Sequence, residues 1–395
     1  MSKVDLVKEI REFKTQLAYA KRIGFFFGAG TSCALGIPNI VQLTTAVKDA
    51  LPDPQRAQFQ AIEDDLSGGV RSPNIEDVLN HTRRIRELTH DKPDKAYLGI
   101  SGESAHELDK YVCKQIHTTI TAAEEKADLK VPTRFFSWLN ILDRQYPKEI
   151  FTTNYDLVVE RSLEVSRIPY FDGFVGSYEP FFWQEAVARC AAPNDITSNW
   201  IRLWKIHGSL SWFWKHQPGT NSHQIIRVGK FDKASHVDQE LVIYPSKEKY
   251  DSSRKQPFVA YFDRLQAYLL DGELLFIVTG YSFSDQHIND IVFNCLRQNK
   301  RLFCVLLFYR DEEVEALQKV ISPHMNLSAF GPTRAIVGGA LREWEFRKES
   351  LKDGEVSHHY FNEGAKKLKL GDFAQLVEFL IASSARPELQ AVSKS

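Results

Sequence analysis

Arg22-Ile23-Gly24-Phe25-Phe26-Phe27-Gly28-Ala29-Gly30-Thr31-Ser32 is the stretch that sets the fold class of this 395-residue chain. Its first half is a short apolar run, the profile of a strand buried on both faces. The run ends at Gly28, where a glycine lets the backbone turn tightly before a helix. After Gly36-Ile37-Pro38, the stretch Gln42–Leu51 fits that helix. Upstream, Val4, Val7, Ile10, Phe13 and Leu17 recur at three- and four-residue steps, which predicts an amphipathic helix. Strand, glycine turn and helix together open an α/β domain.

Further along, short branched or aromatic runs recur at Ile150–Thr153, Leu203–Ile206, Leu241–Tyr244, Leu274–Val278 and Leu302–Phe308. Each is followed by turn formers or a helical pattern, which predicts a doubly wound, mostly parallel Rossmann-like sheet. Residues from about 52 to 130 differ: they are rich in charge and histidine, with helical patterning at Ile75–Leu79 and Glu107–Ala122 around a polar loop, Asp91–Ser104. This segment is expected to be a helical module inserted into the α/β domain. The domain is expected to span 1–320, with 321–395 a C-terminal helical extension that ends in a helix at Phe373–Ala382 and a loose tail, and that serves as an assembly element.

Composition narrows the function. Fifty Lys and Arg balance fifty-one Asp and Glu, a formal charge of -1, so no global attraction to nucleic acid or anionic membrane is expected. The start MSKVDLVKEIREF has no signal-peptide core, and no apolar stretch is long enough to span a bilayer, which points to a cytoplasmic protein. The five cysteines, Cys33, Cys113, Cys190, Cys295 and Cys304, form no C-x-x-C pair, so structural zinc is not expected.

Four polar motifs fall at the ends of expected strands, where ligands bind in open α/β sheets. Gly28-Ala29-Gly30-Thr31-Ser32, running on to Pro38, offers backbone N–H groups and a helix N-terminus to a pyrophosphate. It is not the G-x-G-x-x-G fingerprint, since Cys33 stands three after Gly30, and no acidic residue closes a strand about twenty residues on. Hydride transfer is therefore disfavoured. In Thr152-Thr153-Asn154-Tyr155-Asp156 an amide and a carboxylate stand two apart, able to hold a carboxamide, a ribose hydroxyl or a water; a capping turn is the plainer reading. His207-Gly208-Ser209 offers a base that titrates near neutrality, although a lone histidine is more often structural. Gly280-Tyr281-Ser282-Phe283-Ser284-Asp285 provides small and polar groups for a nucleotide, with Ser284 or Asp285 also able to cap a helix.

The order GAGTS–GIP, TTNYD, HGS, GYSFSD across residues 22 to 310 resembles the sirtuin (silent information regulator) superfamily, in particular its bacterial sirtuin-like NAD-consuming branch. The resemblance implies that Gly28, Ala29, Gly30, Thr31, Ser32 and Pro38 line the pyrophosphate and nicotinamide-ribose region. It implies that Asn154 orients the attacking water or ribose, that Asp156 holds the nicotinamide carboxamide, and that His207 is the ribose-facing base. Gly280, Ser282 and Asp285 would sit against the adenosine half. Glu76 stands where relatives often carry an acidic helix residue, and no role is assigned to it.

The function that the resemblance implies is that of an NAD hydrolase acting in bacterial antiviral defence, with NAD as substrate. Relatives of this kind often work beside a separate subunit, such as a HerA-type DNA-translocating ATPase or a short Argonaute protein. Because NAD destruction must be restrained, a homo-oligomer and a partner subunit are expected. The apolar faces of the first helix (Val7, Ile10, Phe13, Leu17) and the last (Phe373, Leu376, Phe379, Leu380) are candidate contacts, or equally parts of the chain's own core. Deacylating sirtuins usually carry two C-x-x-C zinc pairs, which this chain lacks. A protein deacylase and a non-catalytic module that binds NAD or ADP-ribose are the competing readings.

Overall fold

The computed structural model describes residues 2–68, 72–142, 144, 146–189, 199–216, 223–229, 241–243, 256–321 and 326–384. The expected strand end at Tyr244, Cys190 and the tail beyond residue 384 lie outside them.

The main sheet has ten strands: β1 (Lys3–Asp5), β2 (Ile23–Phe27), β3 (Glu149–Thr152), β4 (Tyr170–Phe171), β5 (Ile201–Lys205), β6 (Leu274–Thr279), β7 (Leu302–Leu307), β8 (Leu327–Phe330), β9 (Arg334–Val337) and β10 (Ala340–Glu345). Their order across the sheet is β1-β10-β9-β8-β7-β6-β2-β3-β5-β4. Within it only β8–β9 and β9–β10 pair antiparallel. The doubly wound α/β reading therefore holds. The helices are α1 (Leu6–Tyr19), α2 (Ala29–Cys33), α3 (Ile40–Ala50), α4 (Asp53–Leu66), α5 (Ile75–Thr89), α6 (Gly102–Lys126), α7 (Lys130–Ile141), α8 (Val158–Val165), α9 (Gln184–Ala188), α10 (Phe258–Leu270), α11 (Gln286–Gln298), α12 (Asp311–Gln318) and α13 (Phe373–Ser384). No described helix is long and apolar enough to cross a membrane.

The apolar run of β2 serves both faces at once. Phe26 joins a core beneath α10, α11 and α12, while Phe25 and Phe27 join the opposite core with α1, α7, α8 and α13. At the amino end of β3 the buried Glu149 accepts from Arg264 Nε at 2.9 Å and from Trp204 Nε1 at 2.7 Å, which fastens α10 to the sheet. A charge so buried is tolerated because it is paired and hydrogen-bonded.

A helical module is present, with its own core of Val47, Phe59, Ile62, Val78, Leu108 and Val112, and it takes in α3, which lies before the segment from about 52 expected from sequence. Local chemistry sets its helix ends: Asn74 and Asp77 make a reciprocal capping box at the start of α5. The module packs on a second, five-stranded sheet through Leu210 and Phe213. That sheet, ordered Leu241–Ile243, Gly208–His216, His223–Arg227, Phe181–Phe182, Phe174–Val175, is antiparallel throughout. Leu241–Ile243 thus belongs to it and not to the parallel sheet expected from sequence.

The C-terminal segment is also corrected. Residues 327–345 are three strands that continue the main sheet, with β8 parallel to β7, so a boundary near 320 falls inside one sheet. The apolar faces of α1 and α13 are buried against each other and the sheet: Phe13 stacks on Phe379 at 5.7 Å, and Phe27 meets Phe373 at 5.5 Å. They are core, and any assembly surface lies elsewhere.

Candidate active site

From β2 the chain passes to β3 on one side, and only later to β6 on the other. The switch point of this sheet is therefore the crevice above the carboxyl ends of β2 and β6. A cavity of about 1530 Å³ opens there, walled by α2, α3, the start of α5, the loops after β3, β5, β6 and β7, and the start of α13. All four motifs flank it.

The two glycine turns lock into each other. Gly28 N–H donates to Thr279 O at 3.0 Å and Gly30 N–H to Gly280 O at 2.9 Å. A Cβ on Gly28 would stand 2.4 Å from Gly280 O, and one on Gly280 would stand 2.5 Å from Thr31 N. Gly280 has φ +66°, a conformation that other residues adopt only with strain. These glycines serve the seam between β2 and β6. The Gly28 and Gly30 amides are both spent on carbonyls, so neither is the N–H group that the turn would offer to a pyrophosphate. Thr31, too, is turned inward: its Oγ1 donates to Gly28 O at 2.8 Å, and neither residue lies on the cavity wall. Ala29, Gly30, Ser32, Pro38, Gly280, Ser282 and Asp285 do line it.

Asn154, at the end of β3, reaches across to the β2 turn. Its Nδ2 lies 3.0 Å from Gly28 O, 3.1 Å from Thr31 Oγ1 and 2.9 Å from Ser32 Oγ. Asp156, two residues on, accepts from Ser32 Oγ at 2.6 Å and from the N–H of Val158, the first residue of α8, at 3.2 Å. Both residues are buried yet line the cavity. The motif thus holds a helix start while its side chains border the cavity.

His207 follows β5, and its Nε2 is 3.0 Å from Asp285 Oδ2. The other oxygen of Asp285 accepts the His287 N–H at 3.0 Å, so Asp285 is the N-cap of α11 as well. The carboxylate expected beside an adenosine half thus also meets the histidine. That pairing joins residues on different loops and leaves no local trace in the sequence.

Glu76 gains a place as well. Its Oε1 accepts from Tyr155 Oη at 3.1 Å and its side chain lines the cavity. Burial, with the Glu76 carboxylate beside it, holds the Tyr155 phenol well above its usual range. Cys33 also borders the cavity; partial burial and then the charge of Asp156 push its thiol up, which disfavours the thiolate. Among the described residues no group of His, Cys, Asp and Glu is arranged to hold a metal ion.

No curated protein matches the chain. Among solved structures, a complex of a Sir2 homologue with NAD aligns over 83% of this chain and 90% of its own, at 14% identity and a TM-score of 0.40. A Sir2-homologue mutant in complex with 2'-O-acetyl ADP-ribose aligns over 95% of this chain and 98% of its own, at 13% identity and a TM-score of 0.39. Residues 148–324, a span that takes in Asn154, Asp156, His207 and Asp285, match the family model of the SIR2-like domain.

Proposed function

We propose that the protein cleaves the nicotinamide–ribose bond of NAD by hydrolysis, giving nicotinamide and ADP-ribose. The observation that carries this reading is the convergence of Asn154, Asp156 and the His207–Asp285 pair on one crevice at the switch point, within the span that matches a SIR2-like domain. A cavity of about 1530 Å³ has room for an extended dinucleotide. Ordinary small-ligand pockets run to roughly 300–1,000 Å³.

In the reaction the ribose C1'–N bond breaks and nicotinamide leaves neutral with the electron pair. A water oxygen bonds C1', and its proton passes to His207. With Asp285 ionised, Nε2–H is the donor between the two side chains and the lone pair falls on Nδ1. Asn154 uses its Nδ2 on the β2 turn, so its amide oxygen is the group that would accept from the water or a ribose hydroxyl. Ser32 and the Val158 amide hold the Asp156 carboxylate as the acceptor for the nicotinamide carboxamide. The leaving group is already good, so positioning and fixed dipoles carry most of the work.

The physiological role we propose is NAD depletion in bacterial antiviral defence, restrained by self-assembly and by a partner such as a HerA-type ATPase. Purified protein is incubated with NAD, alone, with an acyl-lysine peptide, and with the product of the neighbouring gene, and nicotinamide and ADP-ribose are followed by chromatography. Release without peptide is expected, with His207→Ala slower by at least ~100-fold. Release only with peptide would establish a deacylase; bound but intact NAD in every arm would make the protein a sensor.

A further inference from the structure

Behind Asp156, on the side away from the cavity, one peptide group is gripped at both ends. The Asp156 carbonyl accepts from Lys205 Nζ, and the next N–H, that of Leu157, donates to Glu124 Oε1 at 2.5 Å. Lys205 comes from β5 and also donates to Glu160 of α8 at 2.9 Å. Glu124 comes from the end of α6, in the helical module, and the Arg161 guanidinium donates to its backbone carbonyl at 2.5 Å. Lys205 is 2% exposed and Glu124 3%. Fixing both the C=O and the N–H of one peptide fixes the plane that follows Asp156, and with it the direction in which that side chain leaves the chain.

We propose that Glu124 is a positioning residue: it holds the Asp156–Leu157 peptide so that the Asp156 carboxylate stays aimed at Ser32 and the cavity. This rests on the hydrolase reading, in which Asp156 receives part of the dinucleotide.

The arrangement is a poor way to stabilise a fold. Glu124 is faced by Asp156 from the β3–α8 loop, by Glu160 and Arg161 from α8 and by Lys205 from β5. Burial first, and then the charges of Asp156 and Glu160 against the opposing effects of the Leu157 amide and Lys205, push its carboxyl up to about 7. Burial raises Glu160 as well, and its Oε2 has no hydrogen-bond partner among the described residues. A carboxyl raised in the folded state contributes stability while protonated, below its ordinary value of 4.5, and loses that contribution as pH rises through 7. At neutral pH and above, an ionised Glu124 costs the fold something. What it supplies in return is a strong, short acceptor for one amide of the site loop.

The test compares Glu124→Gln and Glu124→Ala with the wild-type chain in three measurements. These are thermal melting, amide hydrogen exchange over residues 154–160, and NAD turnover across pH 5.5 to 9. Gln keeps an oxygen for the Leu157 N–H. It is expected to keep slow exchange at Leu157 and turnover within ~3-fold of wild type across that pH range, a rescue by the conservative variant. Ala removes the acceptor. It is expected to exchange Leu157 at least ~10-fold faster and to lose about 10- to 100-fold in kcat/KM, the scale of a misplaced site group. An Ala variant with wild-type exchange at Leu157 overturns the proposal. So does a Gln variant that melts and exchanges Leu157 like the wild type yet loses more than ~10-fold in turnover, since its acceptor is intact; that outcome decides the matter even where Ala fails to fold. If the wild-type protein releases no nicotinamide, the hydrolase reading fails by itself, and exchange at Leu157 still decides the clamp.

Discussion

Above the carboxyl ends of β2, β3, β5 and β6, buried polar groups face one another at hydrogen-bond distance. Asn154 is tied to Ser32, Asp156 to Ser32, and His207 to Asp285. On the sheet face covered by α1, α7 and α13 the contacts are rings: Phe13 on Phe379, Phe25 on Phe135, and Phe27 on Phe373. A hydrogen bond contributes on the order of 1 kcal/mol net, but it fixes direction. A buried ring contributes roughly 1.5–3 kcal/mol and holds its neighbours by close packing rather than along one donor–acceptor line. The crevice is therefore built for geometry and the ring seam for stability, and the two can be damaged separately.

The largest effect is expected at the seam. Phe379→Ala should cost about 3–5 kcal/mol of unfolding free energy, read by denaturant melts, through loss of transfer energy and a cavity under Phe13. Turnover per folded molecule should stay as it was. If NAD cleavage by the folded fraction fell with it, the separation would be wrong and α13, whose Phe373 borders the cavity, would be working as part of the site.

The reverse pattern is expected in the crevice. Asn154→Ala should lower NAD turnover by at least ~100-fold. Its cost in unfolding free energy should be smaller than that of Phe379→Ala, because Asn154 and its partner Ser32 line an open cavity that water can enter. A variant that melts as far below wild type as Phe379→Ala would mean that the crevice holds up the fold, and that its polar groups are retained for that reason.

This division also explains what the sequence disclosed. The run Ile23–Phe27 stands out because a strand buried on both faces must be apolar at every position, and Gly28 marks where it stops. Asn154, Asp156 and His207 stand out because polar groups directly after such strands have no reason of packing to be there. The pairings of those groups left no such mark. Asp285 reaches His207, and Glu124 reaches Leu157, only because separate loops and helices meet in space. The second sheet is not legible in the same way, although Leu210 and Trp212 alternate with Ser209 and Ser211 at a strand's period of two. Its strand runs directly on from the His207–Ser209 turn, whose polar groups point to chemistry and mask the alternation. In residues 327–345 the glycines at 331, 338 and 339 interrupt the pattern, whereas in the fold they bend the chain between β8, β9 and β10. Gly28 and Gly30 matter for a different reason than the sequence suggests: what crowds them is the β6 turn of the same chain.

The smallest effect sharpens the comparison most, because Asp285 does two jobs with its two oxygens. One oxygen caps α11 by accepting the His287 N–H, and the other meets His207 Nε2. Asn is as good a cap as Asp, so Asp285→Asn can keep the first job while ending the charge of the second. The histidine would then face a neutral amide, and the imidazolium that forms when it takes a proton would lose its counter-charge. The expected result is a loss of about 10-fold in NAD turnover, less than the ~100-fold or more for losing a general base outright, because the base itself remains. The melting temperature should change little, because α11 keeps its cap. A larger fall in stability than in turnover would assign Asp285 to the fold, and His207 would then owe its orientation to something else in the crevice. If turnover falls while the melt holds, the carboxylate belongs to the chemistry although it also begins a helix. The two kinds of region then meet in a single side chain, one oxygen to each.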